Sequence, residues 1–315
     1  MAEELMRNIQ WFPGHMTKTR RMIAANLSLV DAVVEILDAR VPQSSRNPEM
    51  DSMVGSKPRL LLLNKADMAD PSATSRWIAA YRKQGFVALG MDCRSGKGVS
   101  NFAPAVREQL LPALLEKRAA HGFSGAVRTA LHDKIEAYAA KGQVGRAMRV
   151  MVLGIPNVGK SSFINRMAQS KRAKVEDRPG VTRTKQWVKI GSNMELLDMP
   201  GVLWPKFDDQ TVAQKLAFTG AINDDVMDLE ALACLLLQRL AVSYPKALEE
   251  RYRMTDLQAI QEDGFAMLEL LGRKRGMLIS GGEVNTERAA ITLLDEFRSG
   301  KLGRITLELP EQEAL

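Results

Sequence analysis

Residues Asn64–Asp67 read NKAD, directly after the apolar run Leu60–Leu63, and the fold depends on what that tetrapeptide does. Taken alone it is a charged turn between a strand and a helix. Downstream, Gly154–Ser161 reads GIPNVGKS, which satisfies G-x-x-x-x-G-K-[ST] between the apolar run Val150–Leu153 and a helical stretch at 161–169. The glycines let successive backbone N–H groups converge on phosphate oxygens at a helix N-terminus. Asn157, Val158, Gly159, Ser161 and Ser162 would line that cradle, Lys160 would reach the β- and γ-phosphates, and the Ser161 hydroxyl would ligate Mg²⁺.

A phosphate loop gives NKAD a role. The Asp67 carboxylate can accept both hydrogen bonds from guanine N1–H and the N2 amino group, which adenine does not offer, and a polar group left unpaired by the wrong base discriminates strongly. That disfavours an ATPase. Asn64 would tie the base loop to the phosphate loop, and the Lys65 stem would cover the base. The next glycine-containing loop, DCRSGKG at Asp92–Gly98, places Cys93 and Arg94 where a backbone N–H could meet guanine O6. After the phosphate loop, PGVTRT (Pro179–Thr184) offers Thr182 as a switch residue over the metal. DMPG (Asp198–Gly201) then offers an Asp for Mg²⁺ and a Gly N–H for the γ-phosphate. D-x-x-G alone is a common turn, and PGVTRT alone reads as a surface loop. The order, base loop before phosphate loop, is a rotation of the usual GTPase order. It is physically tolerable because domain termini lie at the surface and can be rejoined.

The runs Val33–Leu37, Arg59–Leu63 and Val150–Leu153 read as buried parallel strands, alternating with helical stretches at 16–29, 72–84 and 161–169. The fold class is therefore α/β, a doubly wound and mostly parallel sheet carrying a permuted P-loop GTPase domain over 1–205. Two helical segments over 101–141 lead to the phosphate-loop strand. From 206 to 315 the stretches 211–220, 226–241, 256–271 and 285–298 have helical spacing, and only Gly303–Leu309 alternates like a strand, so a smaller, mainly helical domain is expected there.

The chain has 315 residues and a net charge of +7, divided into +13 over 1–205 and −6 over 206–315. Such asymmetry suits a polyanionic partner for the first part, and equally a solvated basic face. Two cysteines far apart indicate neither a disulfide framework nor a zinc site. No apolar run approaches the ~18 residues of a membrane helix, and Glu3 and Glu4 argue against a transit peptide, so a cytoplasmic protein is expected, with no membrane or DNA partner.

Taken together, QWFPGHM (Gln10–Met16), LDARVP (Leu37–Pro42), NKAD, GIPNVGKS, PGVTRTKQW (Pro179–Trp187) and DMPGVLWPKF (Asp198–Phe207) resemble the circularly permuted GTPases of the ribosome biogenesis GTPase A type, over essentially the whole chain. The resemblance implies a GTPase that binds the maturing large ribosomal subunit and its rRNA, with Mg²⁺ as cofactor and a C-terminal helical region touching RNA. It departs from the family at Cys93 and Arg94, where a serine and a small residue are usual; a backbone donor does the work there, so binding is expected to survive. Val202 stands where Ras-type enzymes orient water with Gln. In the resembled family that role falls to the histidine of the opening motif, here His15, which joins Lys160 and Thr182 as a candidate catalytic residue. Without the resemblance, His15 reads as a histidine at a helix start. His121 and His132 read as structural. Asn157 is a candidate K⁺ ligand by the same resemblance and equally a loop residue chosen for its turn. Arg273-Lys274-Arg275, the dense basic cluster of the C-terminal part, is expected to face RNA. The competing readings are an RNA scaffold that holds GTP without turnover and a tRNA-directed GTPase, the latter lacking any accompanying modification segment.

Overall fold

The computed structural model describes residues 9, 11, 14–106, 147–170, 185–191, 194–255 and 257–310. The part of the expected 101–141 helical segments that lies beyond residue 106, with His121 and His132, and the switch Thr182 lie outside them.

Six strands form one sheet: β1 Ala32–Asp38, β2 Arg59–Asn64, β3 Val87–Gly90, β4 Met148–Leu153, β5 Gln186–Ile190 and β6 Met194–Asp198, in the order β3-β2-β1-β4-β6-β5. All neighbours are parallel except β5 and β6. β1 is buried at every position, as a strand covered on both faces must be, and its near-continuous apolar sequence is the signature of that burial. The edge strand β5 instead alternates between exposed and buried residues. Helices α1 (Gly14–Asn26), α2 (Pro71–Lys83) and α3 (Lys160–Ser170) belong to this layer. Under α2 a small core of Leu37, Leu61, Leu63, Trp77 and Tyr81 seals one face.

Beyond Phe207 come α4 Gln210–Phe218, α5 Leu229–Ser243, α6 Pro245–Tyr252, α7 Gly264–Lys274 and α8 Thr286–Arg298. α5 is buried and apolar from Ala231 to Leu237 and sits among α6, α7 and α8, which fits a central helix. α7 approaches it so closely that a Cβ on Gly264 would lie 2.6 Å from Cys234 Cβ. Asp209, Asp228, Asp263 and Asn285 each cap a helix, accepting from the backbone N–H of Thr211, Ala231, Ala266 and Arg288, the arrangement that satisfies the orphan donors of a first turn. Part of the acidity of this region is thus engaged within the chain. Glu296 likewise binds Arg251, Arg275 and the Tyr252 hydroxyl, so all three cations of the basic cluster are exposed but Arg275 is already committed to an ion pair.

Gly303–Leu309 alternates as expected but is not a strand. It is an extended segment whose Ile305 N–H donates to Met68 O (2.9 Å) and whose Leu307 N–H donates to Arg40 O (2.8 Å). Its partners are two separate loops, following β2 and β1, so no continuous edge exists on which a ladder could form. Among the described residues no helix is long and apolar enough to cross a membrane.

Candidate functional site

The carboxyl ends of β1, β2, β4 and β6 meet at one rim, where open α/β sheets bind ligands. Asn64, the last residue of β2, is buried there and joins three loops: its Nδ2 donates to Val158 O (2.7 Å), and its Oδ1 accepts from Cys93 N–H (3.0 Å). The approach is so close that a Cβ on Gly159, whose φ is +99°, would collide with Asn64 Nδ2. Only glycine fits that position.

The base-reading side is a cavity of ≈ 410 Å³ bordered by Lys65, Asp67, Arg94, Arg166 and Arg298 among others. Asp67 Oδ2 pairs with the exposed Arg94 guanidinium at 3.1 Å, while Oδ1 is buried with no hydrogen-bond partner among the described residues. A buried acceptor without a donor is what a ligand N–H would satisfy. Lys65, held at φ +61°, sends its ammonium to Asp38 at 2.9 Å. Burial alone would push the Asp38 carboxyl up, but Arg40 and Lys65 outweigh it and hold it well below the usual carboxylate range.

Several residues that organise this rim carry no local sequence signal. Asp92 closes the Asp92–Gly98 loop by accepting from Arg94 N–H (2.8 Å) and Ser95 N–H (3.1 Å). Arg166 on α3 donates to the carbonyls of Cys93 and Arg94. The amides expected to meet guanine O6, those of Cys93 and Arg94, are therefore engaged by Asn64 and Asp92, and O6 would have to share or replace one of these bonds. Burial pushes the Cys93 thiol up to about 12, so this sulfur is an inert core group.

The phosphate side is a second cavity, ≈ 920 Å³. Its floor is Pro156, Asn157 and Gly159–Ser162 with Pro200 and Gly201, one wall is Trp11 with His15 and Lys18 of α1, and another is Gly220, Ala221 and Asn223 beyond α4. Lys160 is buried, its ammonium bonded to Gly154 O (3.1 Å) and Ile155 O (2.7 Å). Burial pushes its pKa down to about 8, with Asp198 pulling the other way. A Cβ on Gly201 would lie 2.8 Å from Pro156 N and 3.0 Å from Lys160 Nζ, so the D-x-x-G turn can close on the phosphate loop only as glycine. Asp198 ends β6 opposite Val152 of β4, the strand that leads into the phosphate loop and then to Ser161 on the first turn of α3. A hydroxyl and a carboxylate are hard oxygen donors of the kind Mg²⁺ takes beside nucleotide phosphates, so the residues fit that ion.

Asn157, at φ +59°, donates from Nδ2 to Gly220 O (2.6 Å). His15 is exposed on the first turn of α1. Val202 is fully buried, in the core and away from any attacking water. The structure thus assembles the expected site residues that it describes, other than Val158 and Asp198, on two adjoining cavities sharing Asn157, Gly159 and Ser162.

Comparison with known proteins agrees with this geometry. A family model described as 50S ribosome-binding GTPase matches residues 149–260. The chain is 43% identical over 305 residues to ribosome biogenesis GTPase A of Priestia megaterium, covering 96% of this chain and 98% of that one. It is 42% identical over 304 residues to ribosome biogenesis GTPase A of Bacillus cereus, covering 96% and 95%. Among solved structures it is similar to GNP-bound YlqF from T. maritima, with a TM-score of 0.57 and 25% identity, covering 94% of this chain and 100% of that one.

Proposed function

The chain belongs to the ribosome biogenesis GTPase A family, and from that premise we propose that it is a GTP-hydrolysing assembly factor whose partner is the large ribosomal subunit precursor. Turnover follows from the family and the P-loop; the subunit, its rRNA and a cytoplasmic site of action are the proposed part. In this reading residues 1–205 form the GTPase domain and 206–315 the RNA-contacting domain. Asn64, Lys65 and Asp67 hold guanine with the Cys93–Arg94 loop. Asn157–Ser162 and Gly201 hold the phosphates. Ser161, Asp198 and Thr182 hold Mg²⁺, which when bound neutralises charge on the phosphate oxygens, and Asn157 is the proposed K⁺ ligand.

One observation carries the catalytic assignment. Val202 is buried in the core while His15 is exposed on the wall of the phosphate cavity. An imidazole can orient water or accept its proton; a buried isopropyl group cannot. The loose transition state needs positioning more than covalent help, so a ribosome that orders the start of α1 would activate hydrolysis.

The test is single-turnover GTP hydrolysis in K⁺ buffer, with and without large subunits, for the wild type and His15→Ala. The subunits are expected to accelerate the wild type strongly, and the variant to lose that gain while still binding GTP. No acceleration of the wild type would make the GTP-holding RNA scaffold the better reading.

A further inference from the structure

One buried network lies outside the phosphate chemistry and connects the base-reading loop to the far end of the chain. Arg40, 1% exposed, follows β1. Its guanidinium grips Asp38 in a fork, Nε to Oδ1 at 2.9 Å and Nη2 to Oδ2 at 2.8 Å. The free corner, Nη1, donates to Phe297 O (3.0 Å) and Arg298 O (3.4 Å), the last carbonyls of α8, and the group lies 5.1 Å over the Phe297 ring. Helix C-terminal carbonyls carry partial negative charge and lack intrahelical donors, so a guanidinium is the group they suit best. Asp38 in turn holds the Lys65 ammonium at 2.9 Å. Its own N–H is fixed by Ser45 Oγ at 3.0 Å, so it cannot follow Lys65 if the loop shifts.

A second set of bonds runs in parallel. Arg40 O accepts from Leu307 N–H, Met68 O from Ile305 N–H, Thr306 Oγ1 accepts from Asp70 N–H (3.0 Å), and Gly300 abuts Met68. The base-reading loop is therefore tied to 297–308 at both ends, directly at Met68–Asp70 and, at Lys65, through Asp38 and Arg40.

We propose that Arg40 is a positioning residue for guanine recognition: through Asp38 it registers Lys65 and the base-reading loop against the C-terminal turn of α8, so that guanine nucleotide and the docked segment 297–308 stabilise one another. A buried ionic network is held only while all its members are in place, and Lys65 sits at a left-handed φ that a lysine does not adopt without support. Linkage makes the effect reciprocal. Whatever loosens 297–308 weakens guanine binding by the factor by which guanine tightens 297–308. The inference rests on guanine nucleotide binding alone and is independent of the ribosomal reading.

The experiment titrates full-length protein with fluorescent mant-GDP and displaces it with GDP or with IDP, whose base lacks the N2 amino group. Arg40→Gln is expected to weaken GDP binding about tenfold, the middle of the range for coupled neighbours, and to narrow the preference for GDP over IDP because Asp67 is no longer held in register. Arg40→Lys should recover part of both. A variant that merely melts earlier while keeping the wild-type GDP affinity and GDP-to-IDP ratio would overturn the proposal. Should Arg40→Gln not fold, the wild type decides. Hydrogen exchange at the Ile305 and Leu307 amides is expected to slow several-fold with saturating GDP, and exchange unchanged by GDP would overturn the coupling. The same titration reports wild-type GDP binding directly, so a failure of the nucleotide reading is seen separately.

Discussion

Replacing Asn64 should unfasten the site in a way that can be measured without nucleotide. Its amide makes two buried bonds, Nδ2 to Val158 O at 2.7 Å and Cys93 N–H to Oδ1 at 3.0 Å. Asn64→Ala strands one carbonyl and one amide in a buried place, and each such orphan costs about 1–3 kcal/mol, for a total of about 2–6 kcal/mol before the small cavity is counted. Asn64→Asp separates the hydrogen-bond argument from the volume argument. The new carboxylate fits the space and can still accept from Cys93 N–H, but it sets a second oxygen against Val158 O where a donor stood. It is therefore expected to destabilise at least as much as alanine. The assay is urea denaturation of the nucleotide-free protein, followed by GDP titration of the folded variants, whose affinity should fall because the base, O6 and phosphate loops lose a common fastening. An Asn64→Ala loss below about 1 kcal/mol, or an Asp variant as stable as wild type, would refute the reasoning, since either would mean that water replaces Asn64 at no cost.

Three further outcomes follow from the same geometry. Asp67→Asn exchanges a charged acceptor for an amide that can donate to the O2 of xanthine; GTP affinity should fall about 10–100-fold, by the loss of charge-assisted bonds, while XTP binding improves, and a variant that binds GTP as the wild type does would remove Asp67 from base reading. Lys160, pushed down to about 8 by burial, is neutral in the folded apo protein above that pH but charged in the unfolded chain up to 10.5, so its contribution to folding stability rises with pH across that window; because phosphate requires the ammonium, GDP binding should take up a proton above pH 8 and weaken there, which calorimetry in buffers of different ionisation enthalpy will show or refute. Glu35, buried in β1 beside Arg59, is raised by desolvation from 4.5 to about 7 against the pull of that arginine. Its folded form holds the extra proton, so its contribution to stability falls as pH rises from about 4.5 through 7, and Glu35→Gln should flatten the difference between urea midpoints at pH 5 and pH 8.

The parts of this molecule that were legible in the sequence are those whose constraint is local. A strand covered on both faces must be apolar throughout, so β1, β2 and β4 announce themselves. Phosphate cradling demands glycine at Gly154 and Gly159 whatever surrounds them, and Asn64 declares its role because a base loop and a phosphate loop must be fastened to each other. What escaped notice depends on partners distant in the chain. Arg40 belongs to the LDARVP stretch, but nothing local says what it holds until the end of α8 is brought against it. Arg166 looks like a solvated face until it takes the carbonyls of Cys93 and Arg94. Gly303–Leu309 has the period of a strand, but period does not reveal whether a matching edge is present, and here two loops stand in its place. Part of the acidity of the C-terminal region goes into helix caps and the Glu296 cluster, which composition cannot distinguish from unengaged surface charge.

The permuted order has a mechanical consequence that the contacts make concrete. In this chain the segment after D-x-x-G does not return to the sheet. It runs through Val202, Leu203, Trp204 and Phe207, all buried, into α4, and leaves α4 at Gly220. Both ends of that path touch the phosphate loop: Gly201 packs against Pro156 and Lys160, Val202 N–H donates to Gly154 O at 3.3 Å, and Gly220 O accepts from Asn157 Nδ2 at 2.6 Å. If Gly201 holds the γ-phosphate as proposed, a change there on hydrolysis cannot be absorbed in a loose linker, because the next residues are core and resist deformation. It must shift α4 or pull on the Gly220–Asn157 contact. Arg298 carries the shift onward, since its guanidinium binds Ala217 O, Phe218 O and Asp224, and its backbone carbonyl is one of those that Arg40 grips. The γ-phosphate side and the guanine side are thus joined through the C-terminal helices as well as through the phosphate loop, which places those helices where a binding partner could sense, or set, the nucleotide state.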